Sequence, residues 1–179
     1  MEPLDLILKY YKPESKSYQI LVNHSRLVAD KALNIAANHA GLNLDLKFLE
    51  EAALLHDIGI FLTNAPDLGC HGKLPYICHG YLGNDLLQNE GYPKHGLVCE
   101  RHTGTGITEE EISSQKLPLP QRDLVPISLE EQLICFSDKF YSKSGDLFQE
   151  KSIEQITQSM AKFSINNQNR FLEWCAFFL

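Results

Sequence analysis

The run Ala52-Ala53-Leu54-Leu55-His56-Asp57-Ile58-Gly59-Ile60-Phe61 decides how this chain is read. It is apolar on both sides of one adjacent ionisable pair, so His56 and Asp57 are expected on the core side of a helix end. A carboxylate buried without a partner costs several kcal/mol or more, and such a group is normally paired or bound to metal.

Working outward, helical periodicity dominates and strand patterns are scarce. Residues 2–11 suggest a short first helix stopped near Pro13. Residues 16–40 suggest a long second helix with the stripe Leu21, Val28, Ala32 and Ile35, and His24 lies on that stripe. The helix carrying the pair spans residues 45–57, with Leu49, Ala53 and His56 on one face, and Gly59 permits a break after it. Residues 62–77, with Asn64, Pro66, Gly69, Gly72 and Pro75, read as a loop.

Residues 78–90 return to helix, with His79, Leu82 and Leu86 at helical spacing. Pro93 opens the next helix, in which Val98 and Cys99 precede His102 by four and three positions. After the Gly104-Thr105-Gly106 turn, Thr108 and Glu111 have capping-box spacing and start a short acidic helix. Residues 116–127 form a Pro-containing loop; Ser128 and Glu131 repeat the capping pattern and start a helix through Tyr141, with Ile134 and Asp138 four apart. Helices near 151–162 and 165–177 finish the chain. The fold class is all-α, a compact bundle with the site between helices.

The length of 179 residues suits a single domain. The net charge of −7 argues against a binder of nucleic-acid polymers, which needs a basic face. It leaves open a small phosphorylated partner, because bound divalent metal reverses the local potential. Five cysteines, with no Cys-x-x-Cys pair, read as reduced thiols in or near the core of a cytoplasmic protein. No signal-peptide pattern and no membrane-length apolar segment is evident.

His24, His56, Asp57, His79, His102 and Asp138 all lie at apolar-flanked positions, on five separate segments. Imidazole with carboxylate suits divalent Fe, Mn, Co, Ni or Zn; magnesium matches a set so rich in histidine less well. His24, His56, Asp57 and Asp138 could hold one ion, and His79 and His102, sharing Asp57, a second. The alternative, a set of separately satisfied buried histidines, stays open on the residues alone.

The ordered set also carries a resemblance. The chain resembles HD-domain metal-dependent phosphohydrolases of the HDIG subgroup, named for His56-Asp57-Ile58-Gly59, across most of residues 16–143. The shared stretches include Asn23-His24-Ser25-Arg26, Cys78-His79-Gly80-Tyr81, Glu100-Arg101-His102-Thr103-Gly104 and Ser137-Asp138-Lys139. The resemblance implies an α-helical fold with His24, His56, Asp57 and Asp138 as ligands of a first metal. Members with two further histidines, matched here by His79 and His102, are similar to binuclear enzymes such as HD-type diadenosine tetraphosphate hydrolases and cyclic-dinucleotide phosphodiesterases. Gly91-Tyr92-Pro93 does not sit where the signature loop of the latter falls.

The function so implied is cleavage of a phosphoester of a small metabolite, a nucleotide, by metal-activated water. Asp57, Arg101 and Lys139 are the catalytic candidates, the last two as phosphate-binding cations. Some relatives of this helical fold are di-iron oxygenases, and a non-catalytic module that binds nucleotide and retains metal is the third reading. His71, His95, Lys73, Thr103 and Thr105 are secondary candidates for the pocket, each also explicable as a surface, turn or cap residue. His39 suits a helix C-terminus, and the tail Phe171, Leu172, Trp174, Phe177 and Phe178 reads as core or as a homodimer patch.

Overall fold

A computed structural model describes residues 2–179. The described residues are mainly α-helical: α1 (Pro3–Leu8), α2 (Lys16–Asn38), α3 (Leu46–Leu55), α4 (His79–Asn89), α5 (Pro93–Arg101), α6 (Glu109–Gln115), α7 (Leu129–Asp138), α8 (Ile153–Ala161) and α9 (Ile165–Phe178). Most helix starts are locally encoded. Ser15, Asp45, Thr108, Ser128, Ser152 and Ser164 each accept a backbone N–H of the first turn, and Pro opens α1 and α5. Thr108 and Glu111 close a full capping box. Ser128 caps α7, but Glu131 does not complete its box; its carboxylate takes the Ile127 N–H and the Arg101 guanidinium instead.

The stretch expected as a loop, residues 62–77, is more ordered than its composition suggests. It contains 3-10 turns and a small sheet of β1 (Thr63–Ala65), β2 (Cys70–His71) and β3 (Leu74–Pro75), in the order β2-β1-β3. β1 pairs antiparallel with β2, Asn64 opposite His71, and parallel with β3, Thr63 opposite Leu74. Strands of two and three residues carry no readable alternation, so composition alone spoke for a loop.

Two large apolar clusters hold the bundle, and a third, small one joins Ile112 of α6 to Leu119 and Leu124. The first joins α2, α3, α7 and the C-terminal helices through Val28, Leu49, Ala53, Leu133, Phe136 and Phe171. Phe136 lies 5.5 Å from the rings of both Phe171 and Phe178, so the C-terminal helix is docked on α7 by packed, tilted aromatics. Of the aromatic tail, Phe171, Trp174 and Phe178 are core, while Leu172 and Phe177 remain exposed. The second cluster joins α1, the start of α2, the Ile58–Leu62 turn, α4 and α5 through Ile7, Leu21, Leu55, Ile58, Leu87 and Cys99. The ionisable residues fall on the seam between the clusters. His24 lies between Leu21 of the second and Val28 of the first, and His56 directly follows Leu55 of the second.

Gly59 keeps the seam closed. A Cβ there would collide with the His79 carbonyl oxygen and lie 2.6 Å from the Gly83 nitrogen, so α4 rests directly on the backbone after Asp57. Gly59→Ala must push α4, and His79 with it, away from α3. The expected loss is roughly 1–3 kcal/mol, read in thermal denaturation as a fall of about 3–10 °C. An unchanged melting temperature would show that α4 does not rest on this turn.

Candidate metal centre

α3 ends at Leu55, two residues earlier than its periodicity suggests, with His56 at the C-cap and Asp57 just beyond. This places the pair at the open end of the helix, where both side chains turn toward the seam. His24 comes from the middle of α2, His79 from the first turn of α4, His102 from the C-cap of α5 and Asp138 from the last turn of α7. All six are buried. Five segments distant in sequence thus deliver six ligand-type side chains to one point.

The ring orientations are set from behind. Nδ1 of His56 lies 2.6 Å from the Ala53 carbonyl, Nδ1 of His79 2.7 Å from that of Tyr76, and Nδ1 of His102 2.7 Å from that of Cys99. A carbonyl only accepts, so each Nδ1 carries the hydrogen and each Nε2 turns to the cluster. The Tyr76 ring stacks on His79 at 4.6 Å between centroids and fixes its plane. Such carbonyl-held imidazoles are what metal sites require behind their ligands.

The front of the cluster divides into two halves. Asp57 Oδ2 faces His24 Nε2 at 3.4 Å and His56 Nε2 at 3.1 Å; Asp57 Oδ1 faces His79 Nε2 and His102 Nε2, each at 3.3 Å. Asp138 Oδ1 joins the first half, 2.8 Å from His24 Nε2 and 3.5 Å from His56 Nε2. The ligand atoms of His24, His56, Asp57 and Asp138 lie within 4.8 Å of one another, and so do those of Asp57, His79 and His102.

Two observations show that this donor set fits divalent metal. Both Asp57 oxygens and His56 Nε2 are buried without an aligned hydrogen-bond partner among the described residues. The Nε2 atoms of His79 and His102 face each other at 3.0 Å although both rings already place a hydrogen on Nδ1. Two lone pairs so placed need a cation or a further proton between them.

Burial pushes His24 and His102 down to about 4, into the neutral form a metal needs. Burial also works against the charged form of His56, but the Asp57 and Asp138 carboxylates outweigh it and raise that imidazole to about 9. Burial likewise opposes ionisation of Asp57 and Asp138. Even so, His56 with Lys143 holds Asp57, and Lys139 with Lys143 holds Asp138, well below the usual carboxylate range.

The structure does not bring every expected residue here. Arg101 turns away to Glu131, 2.9 Å from its carboxylate, and does not line the cavity beside the cluster. Lys139 does line it, 2.7 Å from Asp138 Oδ2 and donating to the His102 carbonyl at 3.0 Å. Thr103 is in the cavity wall, whereas Thr105 is buried and tied to Asn167 of α9. His71 and Lys73 are exposed; His95 pairs with Glu51 at 3.2 Å, and His39 hydrogen-bonds the Ile35 carbonyl. Lys143 was not legible in the sequence: its Nζ lies 2.7 Å from Asp57 Oδ2 and 3.7 Å from Asp138 Oδ1. It sits in the polar stretch Ser142-Lys143-Ser144-Gly145, which has no periodicity to mark an inward face.

The cavity beside the cluster has a volume of about 750 Å³. One end carries His79, Asp138, Lys139 and Lys143, and the rest of the wall is largely apolar, with Ile107, Leu117, Met160 and Phe163.

A helical bundle built around this His/Asp set is the architecture of HD domains, and the chain belongs to that family: the HD-domain sequence model matches residues 21–142. An uncharacterised protein of Methanocaldococcus jannaschii is 36% identical over 121 residues, 66% of this chain and 64% of that one. A tRNA (cytidine(56)-2'-O)-methyltransferase of Thermoplasma volcanium is 29% identical over 168 residues, 89% of this chain but 44% of the relative. The protein of the same name from Picrophilus torridus is 32% identical over 139 residues, 77% of this chain and 36% of that one. The chain thus spans less than two thirds of each of these relatives. No solved structure matches it. No helix among the described residues is long and apolar enough to cross a membrane.

Metal uptake should release protons. Below about 9 a metal must displace the His56 proton, so affinity falls as pH falls, by about tenfold per unit. Calorimetric Mn²⁺ titrations of chelator-treated protein at pH 6, 7 and 8, in buffers of different ionisation enthalpy, should show this slope and about one proton released. An affinity independent of pH over that range would contradict the His56 assignment.

Proposed function

We propose that this chain is a metal-dependent phosphohydrolase that cleaves a phosphoester of a small phosphorylated metabolite, a nucleotide, at a centre of two divalent ions. The observation that carries the reading is the division of Asp57: one oxygen faces His24 and His56, the other His79 and His102. A carboxylate so shared would serve both ions of a two-ion site, with Asp138 completing the first half. Fe, Mn, Co, Ni and Zn suit the donors better than magnesium. Two such ions, when bound, supply a water nucleophile at neutral pH and neutralise charge on the attacking and leaving oxygens.

The chain's own groups position the substrate. Lys139, held between Asp138 and the His102 carbonyl, places its ammonium at the cluster end of the cavity, where phosphoryl oxygens would lie. The apolar wall suits a base, and Phe163, 68% exposed, offers a ring face at the cavity lining. A largely apolar cavity wall and a net charge of −7 favour a small nucleotide over an RNA polymer. Methyl transfer is not carried over from the two tRNA-modifying relatives, because the match covers only 44% and 36% of their length.

With Mn²⁺ or Co²⁺ restored after chelation, the protein should release phosphate from, or cleave, members of a nucleotide panel. Asp57→Ala should lower turnover by at least about 10²–10³-fold, with circular dichroism unchanged. Retained turnover in that variant would sink the assignment. Iron-dependent oxygen uptake without phosphoester cleavage would replace it with oxygenase chemistry.

A further inference from the structure

Lys143 reaches the cluster from outside any helix. It lies five residues beyond Asp138, past the end of α7, in the connection to α8. From there its ammonium reaches inward to 2.7 Å from Asp57 Oδ2 and 3.7 Å from Asp138 Oδ1. These are the two oxygens that face His24 and His56, so Lys143 addresses the anionic side of the first half of the cluster. Its neighbour in sequence, Lys139, is differently placed. Lys139 takes the other Asp138 oxygen and a backbone carbonyl, and neither contact conflicts with a metal in the first half.

The same oxygens cannot serve the ammonium and a divalent ion equally. Ligands approach such an ion to about 2.0–2.2 Å, and an ammonium held against the same carboxylate would then face a second cation across a water-poor site. Lys143 carries a flexible stem on a segment outside any helix, and it lines the cavity together with Ser142 and Ser144. Turned from the carboxylates, its ammonium therefore enters the cavity at the end where the cluster opens.

We propose that Lys143 is a tethered cation with two anionic partners: the Asp57–Asp138 carboxylates when the first metal position is not filled, and the phosphoryl group of the substrate once it is. Lys143 then competes with metal in the free protein and binds substrate in the loaded one. It also biases substrate choice toward groups with a free phosphoryl oxygen near the metals. This inference rests on the metal centre proposed above.

The test compares wild type, K143Q and K143R in two binding measurements that require no turnover. Mn²⁺ alone is titrated into chelator-treated protein, and inorganic phosphate is titrated into Mn²⁺-loaded protein. K143Q should bind Mn²⁺ roughly tenfold more tightly and phosphate roughly tenfold more weakly, the scale of one charged contact. K143R, which keeps the charge, should restore most of the phosphate affinity. Opposite movement of the two constants is a signature that a merely structural role would not give. Unchanged Mn²⁺ affinity in K143Q, or weakening of both constants, would overturn the role of Lys143 and leave the metal centre standing. Failure of wild type to bind Mn²⁺ would overturn the metal centre, and this inference with it.

Discussion

The carboxylate of Asp57 is fully buried and ionised, and the bundle is arranged around that charge. An uncompensated ion in a protein interior costs several kcal/mol even after relaxation. Here four imidazoles and one ammonium stand within 3.4 Å of its two oxygens. They come from α2, the end of α3, the start of α4, the end of α5 and the segment after α7. The helices therefore cannot slide independently, because each shift would separate a partner from the same buried charge. The two apolar clusters supply the bulk of the stabilisation, and Asp57 sets how they meet.

The arrangement also shows how rigidity and chemistry divide along the chain. Carbonyl groups at helix ends fix three of the imidazoles, a stacked tyrosine fixes one of these further, and Gly59 lets α4 rest on the turn after Asp57. The C-terminal helices act at longer range. Asn167 and Arg170 of α9 tie down Thr105 and the turn that follows His102, so that the cavity wall and the ligand share one support. Opposite this framework, the α7–α8 connection presents Lys143 from a segment without helical restraint.

Much of this was legible in the sequence, for identifiable reasons. His24 was marked by the stripe through Leu21 and Val28, and His56-Asp57 by the apolar run before it; both signals survive because a helix buries one face. The serine and threonine caps were legible because they act within one turn. Arg101 was misread for an equally physical reason. It adjoins His102, but neighbours on a helix point about 100° apart, so adjacency to an inward residue directs the arginine elsewhere, here to Glu131. Lys139 adjoins Asp138 at the C-cap of α7, where the backbone leaves the helix and both can face the cavity. Lys143 and the small sheet were illegible because neither has a period: one sits in a polar connection, and the other consists of strands too short to alternate.

One buried carboxylate, that of Asp57, is placed to join two metal positions. Electron paramagnetic resonance of the Mn²⁺-saturated protein, with bound manganese quantified on the same sample, tests this bridging most directly. Two ions per chain and the exchange-coupled spectrum of a carboxylate-bridged pair are the expected result. One ion per chain, or two with the spectrum of isolated Mn²⁺, would contradict it.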